Sequence, residues 1–198
     1  TRGLPSLREA IAEKLWKDNG IVVDPATQII VTPSARHALF AALMAILDPG
    51  DEILIPTPSG VGYRALARLA GARPVPVPLS AEDGFRITRQ RLAPHVSDRT
   101  RAIVLGTPND PTGRVLTRQE LGEVATFAED HELFIVVDEV YEKILFTSKQ
   151  HISMASIPGC ADRTLTVNGF SKSHAMTGWR LGYLAGPADV IEEALKVQ

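Results

Sequence analysis

A single cysteine, Cys160, stands in a chain of 198 residues. One thiol excludes an intrachain disulfide and any thiolate zinc cluster, and it fits a reducing compartment. Charge of one sign is missing too. Lys and Arg number 21 against 23 Asp and Glu, and no local basic run offers a footprint for nucleic acid. Long hydrophobic runs are absent: each apolar stretch meets a charge, Pro or Gly well short of membrane-spanning length. Low-complexity tracts, internal repeats and a compositional linker are absent as well. Thr1-Arg2-Gly3-Leu4-Pro5 lacks the build of a signal or transit peptide. The expectation is one soluble, cytoplasmic globular chain without nucleic-acid or membrane partners. With 44% hydrophobic residues it can bury a sizeable core.

What is present is an alternation of apolar runs and helical patterns. Ile29–Val31, Glu52–Ile55, Pro74–Val77, Ala102–Leu105, Leu133–Val137, Leu165–Val167 and Leu181–Ala185 read as strands. Helices are predicted over Leu7–Trp16, Ala35–Leu47, about Tyr63–Ala70 and from the Thr117–Glu120 capping-box spacing to about Asp130. Glu192, Glu193 and Lys196 read as the solvated face of a terminal helix. Strands alternating with helices predict an α/β fold, a mostly parallel sheet between helical layers. In such sheets ligands bind beyond the carboxyl ends of the strands.

Four loops there carry unusual residues. Thr32-Pro33-Ser34-Ala35-Arg36 joins a strand to a helix whose first amides could take an anion, with Ser34 and Arg36 adding a hydroxyl and a cation; Ser34 could equally be only an N-cap. Thr107-Pro108-Asn109-Asp110-Pro111-Thr112-Gly113 is a rigid turn, readable as a plain β-turn. Asp138 ends the buried strand before Glu139-Val140-Tyr141. A carboxylate there requires a donor or cation, so it suits a base, a metal ligand, a counter-ion or an N-cap. In Asn168-Gly169-Phe170-Ser171-Lys172, followed by Met176-Thr177-Gly178-Trp179-Arg180-Leu181-Gly182-Tyr183, an amine precedes an arginine by eight positions. That arrangement suits Schiff-base chemistry beside a phosphate clamp, or an ordinary surface lysine. His37, His95, His131, His151 and His174 show no metal-ligand spacing.

Taken in order, these segments resemble the signatures of class I/II aminotransferases, which use pyridoxal 5′-phosphate (PLP), and most nearly the bacterial aspartate aminotransferase branch. Leu47-Asp48-Pro49-Gly50-Asp51-Glu52 and Gly3-Leu4-Pro5 with Leu7-Arg8 extend the resemblance from end to end. It implies that Lys172 holds PLP as a Schiff base and then moves a proton between substrate and cofactor carbons. Asp138 would pair with the protonated ring nitrogen and Tyr141 with the ring's phenolic oxygen. Arg180 would clamp the phosphate, with Ser34, Ala35 and Arg36 completing the cradle. A homodimer acting on amino acids and 2-oxo acids is implied likewise.

Two positions depart from the family pattern. Asp110 stands where the family has an asparagine that donates to the phenolic oxygen, so Asp110 would have to be protonated, turned away or replaced in function by Asn109. In Thr57-Pro58-Ser59-Gly60-Val61-Gly62-Tyr63 the ring-stacking aromatic falls at Gly60, forfeiting about 1 kcal/mol of ring contact. These departures motivate an alternative PLP chemistry on the same scaffold (lyase, decarboxylase, cyclase or amino-acid oxidase), and a non-catalytic PLP sensor is a third reading. Residues 1–198 are expected to be the PLP-binding large domain, lacking the family's N-terminal arm, its C-terminal small domain and the arginine that grips the substrate carboxylate.

Overall fold

Each of the seven apolar runs is a strand in the computed structural model, which describes residues 1–198. They are β1 (Ile29–Thr32), β2 (Glu52–Thr57), β3 (Arg73–Pro78), β4 (Thr100–Gly106), β5 (Phe134–Asp138), β6 (Thr164–Gly169) and β7 (Gly182–Ala185). The helices are α1 (Pro5–Lys14), α2 (Ala35–Ile46), α3 (Gly62–Leu69), the single turn α4 (Arg89–Leu92), α5 (Arg118–Asp130) and α6 (Ala188–Val197). Leu15–Asn19 continues α1 as a π turn, and Gly20 closes it in the left-handed conformation. Thr117 and Glu120 form the reciprocal capping box that their spacing predicts.

The strands make one sheet in the order β1-β7-β6-β5-β4-β2-β3. β2, β3, β4, β5 and β6 pair in parallel, whereas β7 runs antiparallel to both its neighbours. β3 holds an edge, where Pro74, Pro76 and Pro78 need no partner on the outer side. No helix is long and apolar enough to cross a membrane.

Alternation along each strand divides the core between two faces. Ile53, Ile55, Val104 and Val136 pack under α2, α3 and α6 with Leu39, Leu43 and Ile191. Leu54, Ile103, Leu105, Ile135 and Val137 pack under α5 with Leu121, Val124 and Phe127. Each buried Leu or Ile contributes about 1.5–3 kcal/mol, so covering both faces is what holds the three layers together. A third cluster seats α1 on the far end of the sheet through Ile11, Leu15, Ile29, Val31 and Tyr183.

Beside that cluster lies a buried polar network. Lys14 is paired with Glu142 and donates to Asn19 Oδ1 at 2.7 Å. Asn19 Nδ2 donates to Glu142 Oε2 and to Ser153 Oγ, both at 2.7 Å. Ser153 in turn donates to Glu139 Oε2 at 2.6 Å, with His151 Nε2 at 3.2 Å from the same oxygen. Glu139, Glu142 and His151 thus converge as a metal-like trio. The cation already among them is the Lys14 amine, and it ties α1 to the segment that follows β5.

Candidate active site

The carboxyl ends of β1, β2, β4, β5 and β6 deliver their loops to one cleft of about 290 Å³. Ser34, Ala35, Arg36, Asp110, Asp138, Tyr141, Lys172 and Arg180 all line it. Residues more than a hundred positions apart are therefore neighbours, as the end-of-strand rule for open α/β sheets requires.

At one end is the start of α2. Ser34 Oγ accepts from the His37 amide at 3.1 Å, and the Ser34 carbonyl accepts from Ala38. The capping reading of Ser34 is therefore realised. It leaves the first amides of the helix, those of Ala35 and Arg36, to take an anion. Gly182 makes this placement possible. A Cβ there would collide with the Ala35 nitrogen and the Ser34 carbonyl carbon.

The Arg36 guanidinium, the Lys172 amine and the Arg180 guanidinium bring three cations into the cleft. Thr177 ties two of them together. Its hydroxyl donates to the Ser171 carbonyl at 2.9 Å, while its own carbonyl accepts from Arg180 Nη1 at 2.9 Å. The lysine turn and the arginine are thus one local unit. Arg180 itself is in the left-handed region, with φ 52°. Lys172 Nζ stands 5.3 Å from the centroid of the Tyr141 ring.

Asp138 is the anion opposite them. Its Oδ1 accepts from the Val140 amide and its Oδ2 from the Tyr63 hydroxyl, each at 3.2 Å. Desolvation outweighs both donors and, with Glu139 and Asp110 nearby, pushes its pKa up to about 6. The carboxyl is half-buried and lines the cleft. A desolvated carboxylate held by two neutral donors suits a protonated ring nitrogen entering from that side. With the free helix amides and Arg180 at the anion end, the residues present fit PLP.

Asn109 and Asp110 separate. Asp110 lines the cleft, whereas Asn109 lies behind Tyr63 in a second, smaller cavity. Asn109 Oδ1 is occupied by Thr112, whose hydroxyl and amide donate to it at 2.9 and 3.3 Å. Gly60 lies in the cleft wall, as the motif alignment places it. Sequence reasoning missed Tyr63 as a site residue, reading it only as the end of the Thr57–Tyr63 motif and the start of a helix. The available signal was a tyrosine following Gly60-Val61-Gly62 in a loop beyond a strand.

The chain is similar to known proteins along its whole length. The aminotransferase class I and II family model matches residues 1–198. Aspartate aminotransferase of Musicola paradisiaca (strain Ech703) is 50% identical over 198 residues, covering 100% of this chain and 50% of the relative. Aromatic-amino-acid aminotransferase 2 of Thermococcus litoralis is 46% identical over 196 residues, covering 99% and 50%. The solved aromatic aminotransferase from Pyrococcus horikoshii OT3 superposes with a TM-score of 0.96 at 49% identity, covering 98% of this chain and 52% of that one. The chain spans about half the length of the curated relatives it matches.

Proposed function

The chain belongs to the aminotransferase class I and II family, and on that premise we propose that it is the PLP-binding portion of an aminotransferase moving an amino group from an amino acid to a 2-oxo acid. The observation that carries this reading is the cleft itself. Lys172 and a desolvated Asp138 both line it, with Arg180 and the free amides of α2 at the anion end. When bound, PLP supplies an electron-accepting ring that stabilises negative charge at the substrate's reacting carbon.

The chain's own residues divide the remaining work. The Ala35 and Arg36 amides and the Arg180 guanidinium hold the phosphate, a bidentate task for which lysine is no substitute. Asp138 keeps the ring nitrogen protonated by pairing with it. The Lys172 amine tethers the cofactor and, once displaced by substrate, takes and returns the proton at the substrate's α-carbon. Tyr141, beside that amine, donates to the ring's phenolic oxygen.

A homodimer in the cytoplasm belongs to the same proposal. Val61 and Trp179, 90% and 76% exposed next to residues of the cleft, support a partner surface, and the free, buried Cys160 accords with a reducing compartment. A second reading, altered PLP chemistry, is favoured by Asp110 in the cleft wall with Asn109 turned away. The experiment is a visible absorption spectrum of the purified protein with PLP, before and after a panel of amino acids, with product analysis. A band that bleaches as stoichiometric 2-oxo acid and the aminated cofactor accumulate supports transamination. Release of carbon dioxide, an eliminated fragment or peroxide instead establishes the second reading, and no band at all removes both.

A further inference from the structure

Tyr63 has no part in the chemistry just described, yet its phenol reaches the middle of the site. The hydroxyl donates to Asp138 Oδ2 at 3.2 Å across a separation of 75 residues. Burial and the neighbouring Asp138 hold the phenol's pKa well above 10, so it remains a donor at any working pH. Two glycines make room for it. A Cβ at Gly60 would stand 3.3 Å from the ring's Cζ, and a Cβ at Gly106 would stand 3.0 Å from the hydroxyl oxygen. Gly106 is also the β4 residue paired with Asp138 of β5. A side chain at that rung of the sheet would push the phenol off the carboxyl.

We propose that Tyr63 is a positioning residue for Asp138: the missing side chains at Gly60 and Gly106 admit its phenol, which orients the carboxyl and favours its ionised form. This rests on the reading of Asp138 as partner of the cofactor's ring nitrogen. With the Val140 amide on Oδ1 and Tyr63 on Oδ2, each oxygen has its own donor, and the carboxyl plane is held from both sides. The charged and titratable groups around it are Glu139 directly after β5, Asp110 from the loop after β4, and Tyr141, Lys172, Arg36 and Arg180 around the cleft. Glu139 and Asp110 oppose ionisation and Tyr63 works against them. The substitution at Gly60 thus has two effects: it removes a ring-stacking side chain and it clears space for the tyrosine three residues on.

The test follows the Asp138 carboxyl by ¹³C NMR titration in the cofactor-free full chain, and PLP affinity by absorbance. Y63F keeps the ring and removes one oxygen, and circular dichroism checks its fold. It should raise the Asp138 midpoint by about half to one pH unit and weaken PLP binding at neutral pH roughly three- to tenfold. G106A, which keeps the tyrosine but crowds its hydroxyl away from the carboxyl, should raise the midpoint similarly. The double variant should be no worse than either single one, because both remove the same bond. A midpoint that Y63F leaves unmoved or lowers overturns the proposal, as do additive effects in the double variant. A shifted midpoint in a protein that binds no PLP would uphold the role of Tyr63 and sink the cofactor reading. PLP binding with an unmoved midpoint would do the reverse.

Discussion

Gly182 and Ala35 meet backbone to backbone, at a distance that admits no side chain on the glycine. That contact seats the start of α2 against the first residue of β7. The two amides proposed to hold the phosphate therefore depend on a residue that never touches it. Gly182→Ala should force the backbones apart, lowering stability by about 1–3 kcal/mol and PLP affinity by roughly tenfold or more. Thermal melts and a PLP titration check both, and an affinity equal to wild type would show that the cradle lies elsewhere.

Lys172→Ala should abolish the visible band of the PLP-loaded protein while the phosphate site persists. Arg180→Ala should retain the band but weaken binding by about 1.5–3 kcal/mol, the range for a charge-assisted pair. Arg180→Lys should recover little of that loss, since an ammonium cannot reproduce the planar fork. A surviving band in Lys172→Ala would disprove the assignment of the amine.

Asp138 links function to pH-dependent stability. Its pKa is about 6 in the fold against 3.8 for the free side chain. A raised carboxyl pKa stabilises the fold fully below about pH 4, and this contribution is lost as pH rises through about 6. The gap corresponds to at most about 3 kcal/mol, reduced by water on the open side of this half-buried carboxyl. Asp138→Asn should accordingly make the cofactor-free chain more stable by about 1–2 kcal/mol above neutral pH and flatten its stability between about pH 4 and 6. It should also weaken PLP binding. Urea unfolding at several pH values measures the first two, and a variant less stable than wild type at every pH would contradict them.

Asp110→Asn removes a negative charge from a cleft wall that already contains Asp138. PLP binding should be kept or tightened, and the Asp138 midpoint should fall, because Asp110 is one of the charges raising it. A large loss of PLP affinity would show that the acid has a task of its own.

The network behind the site should behave as structure. Lys14→Met leaves Glu142, which is 5% exposed, without its cation, and should cost about 3–5 kcal/mol, as breaking a buried pair does. Any folded fraction should retain the PLP spectrum, since Lys14 does not line the cleft. Denaturant midpoints and the spectrum separate the two effects.

Much of this was legible in the residues. Apolar periodicity marks every strand and every long helix, and the Thr117–Glu120 cap closes within three residues. Lys172 and Arg180 share one loop and reach one cleft, so their relation needed only local sequence. What hydrogen bonding and period do not encode is which distant segments become neighbours. The antiparallel insertion of β7, the reach of Tyr63 to Asp138 and the pairing of Lys14 with Glu142 over 128 residues all depend on strand order. So do the burial that lifts the Asp138 pKa and the contact that forbids a side chain at Gly182. By itself the sequence determined the elements, the loops and the chemical groups they carry. Tertiary structure alone decided which groups share a desolvated space, because packing of the sheet sets distance and dielectric, and neither is a property of a local stretch of chain.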